Sequence, residues 1–218
     1  MAVEVVKGQF VTIHFDGKRC IHARNCVLSH PEVFVPNVKG AWIHPDAAPA
    51  DEVVRIGENC PSGAISVTRN AKATDQEMPS SDVPPVVNLL RVRENGPLAI
   101  DAELLIRGEP QAIPRATLCR CGLSKNKPFC DNSHVEGNFQ ATGEPAPKDA
   151  PALEVRNGPV DVQPLPNGPL KIVGNLEVVS GTGHTINKIR QAFFCRCGHS
   201  QNKPYCDGSH KAAGFEAE

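Results

Sequence analysis

The sequence predicts an α+β protein, with a small α+β unit first and two β-rich repeats after it. Three observations lead there. The nine cysteines fall into triplets, Cys20, Cys26 and Cys60, then Cys119, Cys121 and Cys130, then Cys195, Cys197 and Cys206, one per third of the chain. A strand, turn, strand pattern precedes both later triplets, and internal repetition of this kind marks duplicated structural units. Two stretches without apolar periodicity, rich in Pro, Ser, Asp, Glu and Lys, separate the three segments.

Residues 1–69 form the α+β unit. Residues 9–15 alternate apolar with polar and read as a strand, residues 21–29 and 50–58 as short helices, and residues 64–68 as a closing strand. Residues 70–85 read as a linker. The first repeat spans 86–142, a second linker 143–151, and the second repeat 152–218. Asn95-Gly-Pro-Leu and Asn167-Gly-Pro-Leu sit among β-formers at matching positions, so each repeat should open as a hairpin. A unit of about fifty residues buries little on its own. Two such units in one chain therefore predict an intramolecular pseudo-dimer, and a monomeric protein.

The chain of 218 residues, 40% hydrophobic, suits one to two ordinary domains or three small ones, and small cores benefit from metal staples. A formal charge of -1 gives no general electrostatic grip on nucleic acid or anionic lipid. No window approaches the roughly eighteen apolar residues a membrane span needs, and no apolar run follows a basic start, so a cytoplasmic protein is expected. An odd cysteine count without a secretion signal argues against a disulfide framework.

The chemistry sits in two stretches of the same spelling. Cys119-Arg-Cys121 through Cys130 to His134, and Cys195-Arg-Cys197 through Cys206 to His210, each read C-x-C-x8-C-x3-H. Four soft or borderline ligands within sixteen residues can close one metal centre. Zinc is the plain alternative, although C-x-C is tighter than the usual C-x2-4-C opening of zinc sites. Cys130 and His134 are four apart and would share one face of a helical turn beginning at Asp131. Asp131 and Asp207 are candidate N-caps for those turns.

On these residues, with Ser124-x-Asn126-Lys-Pro128 and Ser200-x-Asn202-Lys-Pro204, residues 86–218 resemble a tandem pair of CDGSH-type iron-sulfur domains, the NEET family. The second copy spells Cys206-Asp-Gly-Ser-His210 in full, while the first has Asn132 at the glycine position. Asn tolerates left-handed backbone better than other non-glycine residues, so the ligand set stays intact. The resemblance implies one 2Fe-2S cluster per repeat. Cys119 and Cys121 would hold one iron, Cys130 and His134 the other, and Cys195, Cys197, Cys206 and His210 would do the same in the second copy. Three thiolates and a neutral imidazole leave an oxidised cluster at about -1, where four thiolates give about -2, so the potential should lie above that of plant-type ferredoxins. An imidazole ligand competes for protons, so acid should release the cluster.

In the first segment, Cys20-Ile-His22-Ala23-Arg-Asn-Cys26 and the later Cys60-Pro61 resemble a divergent mono-cluster ferredoxin-like domain, with Ala23 where the middle cysteine would stand. That resemblance implies a 3Fe-4S cluster, or a 4Fe-4S cluster whose fourth ligand is His22 or an outside molecule. The plain alternative is three buried cysteines acting as small hydrophobes.

Other candidates are weaker. His199 replaces Leu123 in the second loop and could tune that centre, and Lys125, Lys127 and Lys203 could steer an acidic partner or simply be solvated. No nucleophile elbow, phosphate cradle or paired carboxylates appear, so the expectation is a protein that is not an enzyme. Its expected role is electron transfer with redox partner proteins, as an internal relay from the N-terminal centre to the histidine-ligated pair. The alternative is cluster transfer to apo iron-sulfur proteins, or redox or pH sensing.

Overall fold

The structure, a computed structural model, describes residues 3–70 and 83–218. Most of the linker expected at 70–85, residues 71–82, lies outside the described residues. The chain divides into two units, Met1–Val83 and Pro84–Glu218.

The first unit is built on a three-stranded antiparallel sheet, β1 (Glu4–Lys7), β2 (Val11–Phe15) and β3 (Ile65–Arg69), with β2 in the middle. Alternation sends Val11 and Ile13 into the core, where they meet Val33, Phe34 and Ile43. Helix α1 (Asn25–Ser29) is short, and α2 (Ala50–Glu58) is amphipathic, with Val53, Val54, Ile56 and Gly57 buried. Gly57 lets α2 lie close on β3, since a Cβ there would stand 3.1 Å from Val67 Cγ2. Asp51 in the first turn of α2 pairs with Arg69 at 2.5 Å. The α+β reading of this segment holds, with each expected helix and strand present to within a few residues.

The second unit is a mixed sheet of eight strands among the described residues. The first repeat supplies β4 (Leu89–Val92), β5 (Leu98–Asp101), β6 (Glu103–Ile106), β7 (Glu109–Pro110) and β8 (Arg115–Leu118), and the second supplies β9 (Pro159–Pro164), β10 (Leu170–Val179) and β11 (Thr185–Phe194). The strands run β7-β6-β9-β10-β4-β5-β8, with β11 also paired to β10. Two neighbour pairs therefore join the repeats, β6 parallel to β9 and β4 parallel to β10.

The ten-residue β10 makes this possible by changing partner midway. Its first half pairs with β9, its last residues with β4, and the register shifts between Val173 and Leu176. Gly174 sits in that shift with φ 138°, where a Cβ would stand 2.5 Å from the Pro159 carbonyl, so the bulge needs glycine. One hydrophobic core drawn from both repeats lies on the sheet, including Leu90, Ile100, Leu118, Val162, Ile172 and Phe194. Both Asn-Gly turns form as expected, with Asn95 at φ 48° and Asn167 at φ 50°.

Residues 143–151, which composition marks as a linker, lie along the second repeat. Gly143 accepts from the Gly181 amide, the Lys148 amide donates to Ile186, and the Lys148 ammonium sits 3.9 Å from the Tyr205 ring centroid. No helix among the described residues is long and apolar enough to cross a membrane.

Candidate metal centres

Each loop springs from the last strand of its repeat, Cys119 directly after β8 and Cys195 directly after β11. The loop then folds back on that strand. In the first copy the Cys119 amide donates to Pro128 and the Cys130 amide to Thr117, both at 2.8 Å. In the second the Cys195 amide donates to Pro204 at 2.8 Å and the Cys206 amide to Phe193 at 2.9 Å. The shared Ser-x-Asn-Lys-Pro stretch closes the loop. The Ser124 hydroxyl donates to the Phe129 carbonyl and accepts from the Asn126 amide, and Ser200 does the same with Tyr205 and Asn202. The Lys127 and Lys203 ammonium groups donate to the Ser124 and Ser200 carbonyls at 2.5 Å, so both lysines clip their loops.

The helical turn carrying each histidine starts later than the sequence suggests. Helix α3 (Ser133–Glu136) and α4 (Ser209–Ala212) begin two residues after the aspartate, and the residue between, Asn132 or Gly208, is left-handed with φ 74° or 90°. Asn132 thus adopts the glycine geometry its replacement required. Asp131 does not cap a helix begun at its own position. It accepts from the Ser133 amide and hydroxyl and, across the loop, from the Lys125 amide, and Asp207 repeats this with Ser209 and Gln201. Those bonds hold the Asp131 carboxyl below its ordinary range even though partial burial pushes it up, and they depress Asp207 as well.

The donors gather in pairs. Cys119 and Cys121 place their Sγ atoms 3.8 Å apart, and Cys130 Sγ stands 3.4 Å from His134 Nδ1. Cys195 and Cys197, then Cys206 and His210, repeat both distances. Two thiolates bound tetrahedrally at about 2.3 Å to one ion stand about 3.8 Å apart, and a thiolate with an imidazole about 3.5 Å. Each pair therefore fits one metal ion, and each loop fits two. Among the described residues, no three His, Cys, Asp or Glu side chains are arranged to hold a single ion.

The surroundings favour negative sulfur. The Leu123 and Asn132 amides donate to Cys121 and Cys130 at 3.4 Å, and the His199 and Gly208 amides donate to Cys197 and Cys206 at the same distance. As thiols, Cys119 and Cys121 share one contact, which lowers Cys119 to about 6 and raises Cys121. Burial pushes Cys130 up to about 12 and holds His134 below its ordinary value. His134 and His210 are partly exposed, whereas Cys119 and Cys195 are buried.

Sequence reasoning passed over Arg120 and Arg196, each 1% exposed. Arg120 donates to the carbonyls of Gly96, Thr142, Arg93 and Ala141, and its guanidinium lies over Phe139. Arg196 donates to Gly168, Glu218 and Leu165 and lies over Phe215. Each arginine ties its C-x-C arm to its own Asn-Gly turn. The signal was present, because the same residue fills the x of C-x-C in both copies.

The first unit brings Cys20, Cys26 and Cys60 around one cavity of about 380 Å³. His22, Ala23, Phe15 and Trp42 also line it. Cys26 lies on α1 and Cys60 follows α2, and burial raises the Cys20 and Cys26 thiols. The backbone amides of His22 and Val27 act against that burial and lower the Cys20 and Cys26 thiols, as they would steady a thiolate. Three thiols converging on a cavity with amide donors fit an iron-sulfur cluster, and Ala23 brings no ligand atom to it.

Residues 95–135 and 167–211 each match the model described as iron-binding zinc finger, CDGSH type, and residues 6–70 match a divergent 4Fe-4S mono-cluster model. This chain thus carries two matches to the CDGSH-type iron-binding model behind one match to the mono-cluster model. Its two CDGSH repeats follow an N-terminal mono-cluster domain, and iron-sulfur binding is common to both parts. The chain is also 36% identical over 59 residues to the uncharacterized protein YjdI of Escherichia coli strain K12, and equally to that of strain O157:H7. The match spans 27% of this chain and 75% of each relative.

Proposed function

We propose that this protein is an electron carrier with three iron-sulfur centres, a 2Fe-2S cluster in each CDGSH repeat and a 3Fe-4S or 4Fe-4S cluster in the N-terminal domain. The observation that carries the reading is that each donor set divides into two close pairs while, among the described residues, no three donors converge on one ion. A zinc site would draw all four donors to one point.

A bound cluster of this type supplies one-electron chemistry. The chain's own groups do the rest. Cys119, Cys121, Cys195 and Cys197 would hold the inner side of each site, toward the junction of the repeats, and Cys130, His134, Cys206 and His210 the other side, where both histidines are half-buried. The amides of Leu123, Asn132, His199 and Gly208 stabilise negative sulfur, which favours the reduced state. On this reading the protein acts with redox partner proteins, passing single electrons between them. The cross-repeat pairs β6 with β9 and β4 with β10 support reading the two repeats as an internal pseudo-dimer.

A second reading, cluster donation to apo iron-sulfur proteins or pH sensing, is favoured by the partial exposure of His134 and His210. A ligand at the rim that binds protons is the one most readily released.

Iron, sulfide and zinc content per chain, with low-temperature electron paramagnetic resonance before and after reduction, tests the main reading. About seven to eight irons with matching sulfide are expected. A colourless protein that holds only zinc would refute it. Mixing loaded protein with an apo-ferredoxin separates the two readings, since a carrier keeps its clusters and a donor loses them.

A further inference from the structure

The inner ligands of the two CDGSH sites are neighbours across the repeats. Cys121 and Cys197 form an antiparallel β-bridge. Residues paired this way have Cα atoms about 4.5 to 5.5 Å apart. The approach is closed by glycine on both sides. Gly122, at φ 84°, faces the Cys197 carbonyl, and Gly198, at φ 85°, faces the Cys121 carbonyl, each so closely that a Cβ would overlap it.

Side chains cross the same junction. Lys127 of the first loop stands 5.8 Å from the centroid of Phe215, the ring that Arg196 covers at 5.4 Å. Arg120 and Arg196 are buried cations, each set between the two cysteines of its C-x-C arm beside that bridge. Charges joined through a buried backbone bridge are screened far less than exposed ones.

We propose that the two CDGSH repeats hold their clusters as one electrostatically coupled pair, in which the charge of one site sets the reduction equilibrium of the other. This rests on reading each loop as a one-electron centre. Each site takes one electron from a one-electron donor and passes it to a one-electron acceptor, with no bond to the protein made or broken. An electron on the first site opposes arrival of the second, and the effect runs both ways because coupling free energies are reciprocal.

The test is a redox titration of the full chain followed by electron paramagnetic resonance, alongside two variants. Cys130→Ser with His134→Ala empties the first site, and Cys206→Ser with His210→Ala empties the second. Both leave the Cys121–Cys197 bridge untouched. In each variant the remaining site should become easier to reduce, by threefold or more in equilibrium constant, which is about 28 mV at 59 mV per decade. In the unaltered protein the paired sites should titrate over a span wider than a single one-electron Nernst curve, because the first electron opposes the second.

Unchanged potentials in both variants, or an unaltered chain whose two CDGSH sites follow one simple one-electron Nernst curve, would overturn the coupling. The titration curve of the unaltered chain decides the matter if a variant fails to fold. Fully loaded but independent sites would sink only this inference, whereas a zinc-only protein would sink the reading beneath it.

Discussion

Gly122 and Cys197 meet backbone to backbone, with the direction a side chain would take at Gly122 running into the Cys197 carbonyl. Gly122→Ala should therefore pay twice, for left-handed φ and for overlap. Left-handed backbone costs an L-residue about 1 to 2 kcal/mol, and the overlap should carry the total to about 3 kcal/mol. Gly108 is the control, because its φ is 83° and nothing lies within 4 Å of its missing Cβ. Gly108→Ala should lose only the backbone part. Equal losses for the two variants in chemical denaturation would show that the junction is not crowded.

Arg120 gives a second prediction. Its guanidinium satisfies four carbonyls inside the protein, so Arg120→Met leaves them without a donor. Bonds from a charged donor are worth about 1.5 to 3 kcal/mol each, and a shared network yields less than their sum, so a loss of about 3 kcal/mol or more is expected. Arg120→Lys should recover only part of it, because an ammonium cannot reproduce the planar fork. Urea midpoints of the two variants check this, and a wild-type midpoint for Arg120→Lys would mean the fork is unimportant.

How much of this was legible in the sequence depended on range. The ligand residues, the Asn-Gly turns at Asn95 and Asn167 and the left-handed need at Asn132 are local, and local patterns expose them. The pairing of β6 with β9 and β4 with β10 is not, because it turns on a bulge at Gly174 that sends one strand to two partners. The role of Asp131 was half legible. Its oxygen does bond the helical turn at Ser133, but its tie to Lys125 depends on a loop closure that spacing does not reveal. Arg120 and Arg196 show in the sequence only as a repeated letter, because their burial depends on carbonyls gathered from the Asn-Gly turns and the chain beyond each histidine.

Asn88 joins the repeats from the core, and its amide donates to Gly158 at 2.8 Å and Asn175 at 2.9 Å. Its backbone pairs with Arg156 and Glu177. Asn88→Ala keeps the backbone bonds and removes the two side-chain ones, a loss of about 2 kcal/mol at roughly 1 kcal/mol each. A thermal midpoint within error of the unaltered protein would show that the strand pairing alone holds β4 to β10.

His134 sets the pH behaviour of the first centre. Burial holds its ring below the ordinary value of about 6.5. The sign follows from proton counts: as pH falls below about 6.5 the unfolded ring takes up a proton before the folded one, so stability drops through that window and levels off below the folded value. Cluster absorbance should fade as pH is lowered beneath 6.5, and His134→Cys, which removes the proton-competing ring, should slow loss from the first site about tenfold at about pH 5.5. Equal decay rates for the variant and the unaltered chain would place the labile bond elsewhere.

Ala23 offers the sharpest test of the N-terminal centre. It lines the same cavity as Cys20, Cys26 and Cys60, at the position where a fourth thiolate would complete the cysteine run. Ala23→Cys adds a negative ligand to a cluster otherwise held by three, and extra thiolate charge makes a cluster harder to reduce. The N-terminal signal should therefore move to lower potential and the fourth iron should survive purification, with the CDGSH signals unmoved. His22→Ala in the Ala23→Cys background should then change neither, because the added thiolate supplies whatever His22 could. An N-terminal potential unaffected by Ala23→Cys would mean that this side of the cavity does not face the cluster.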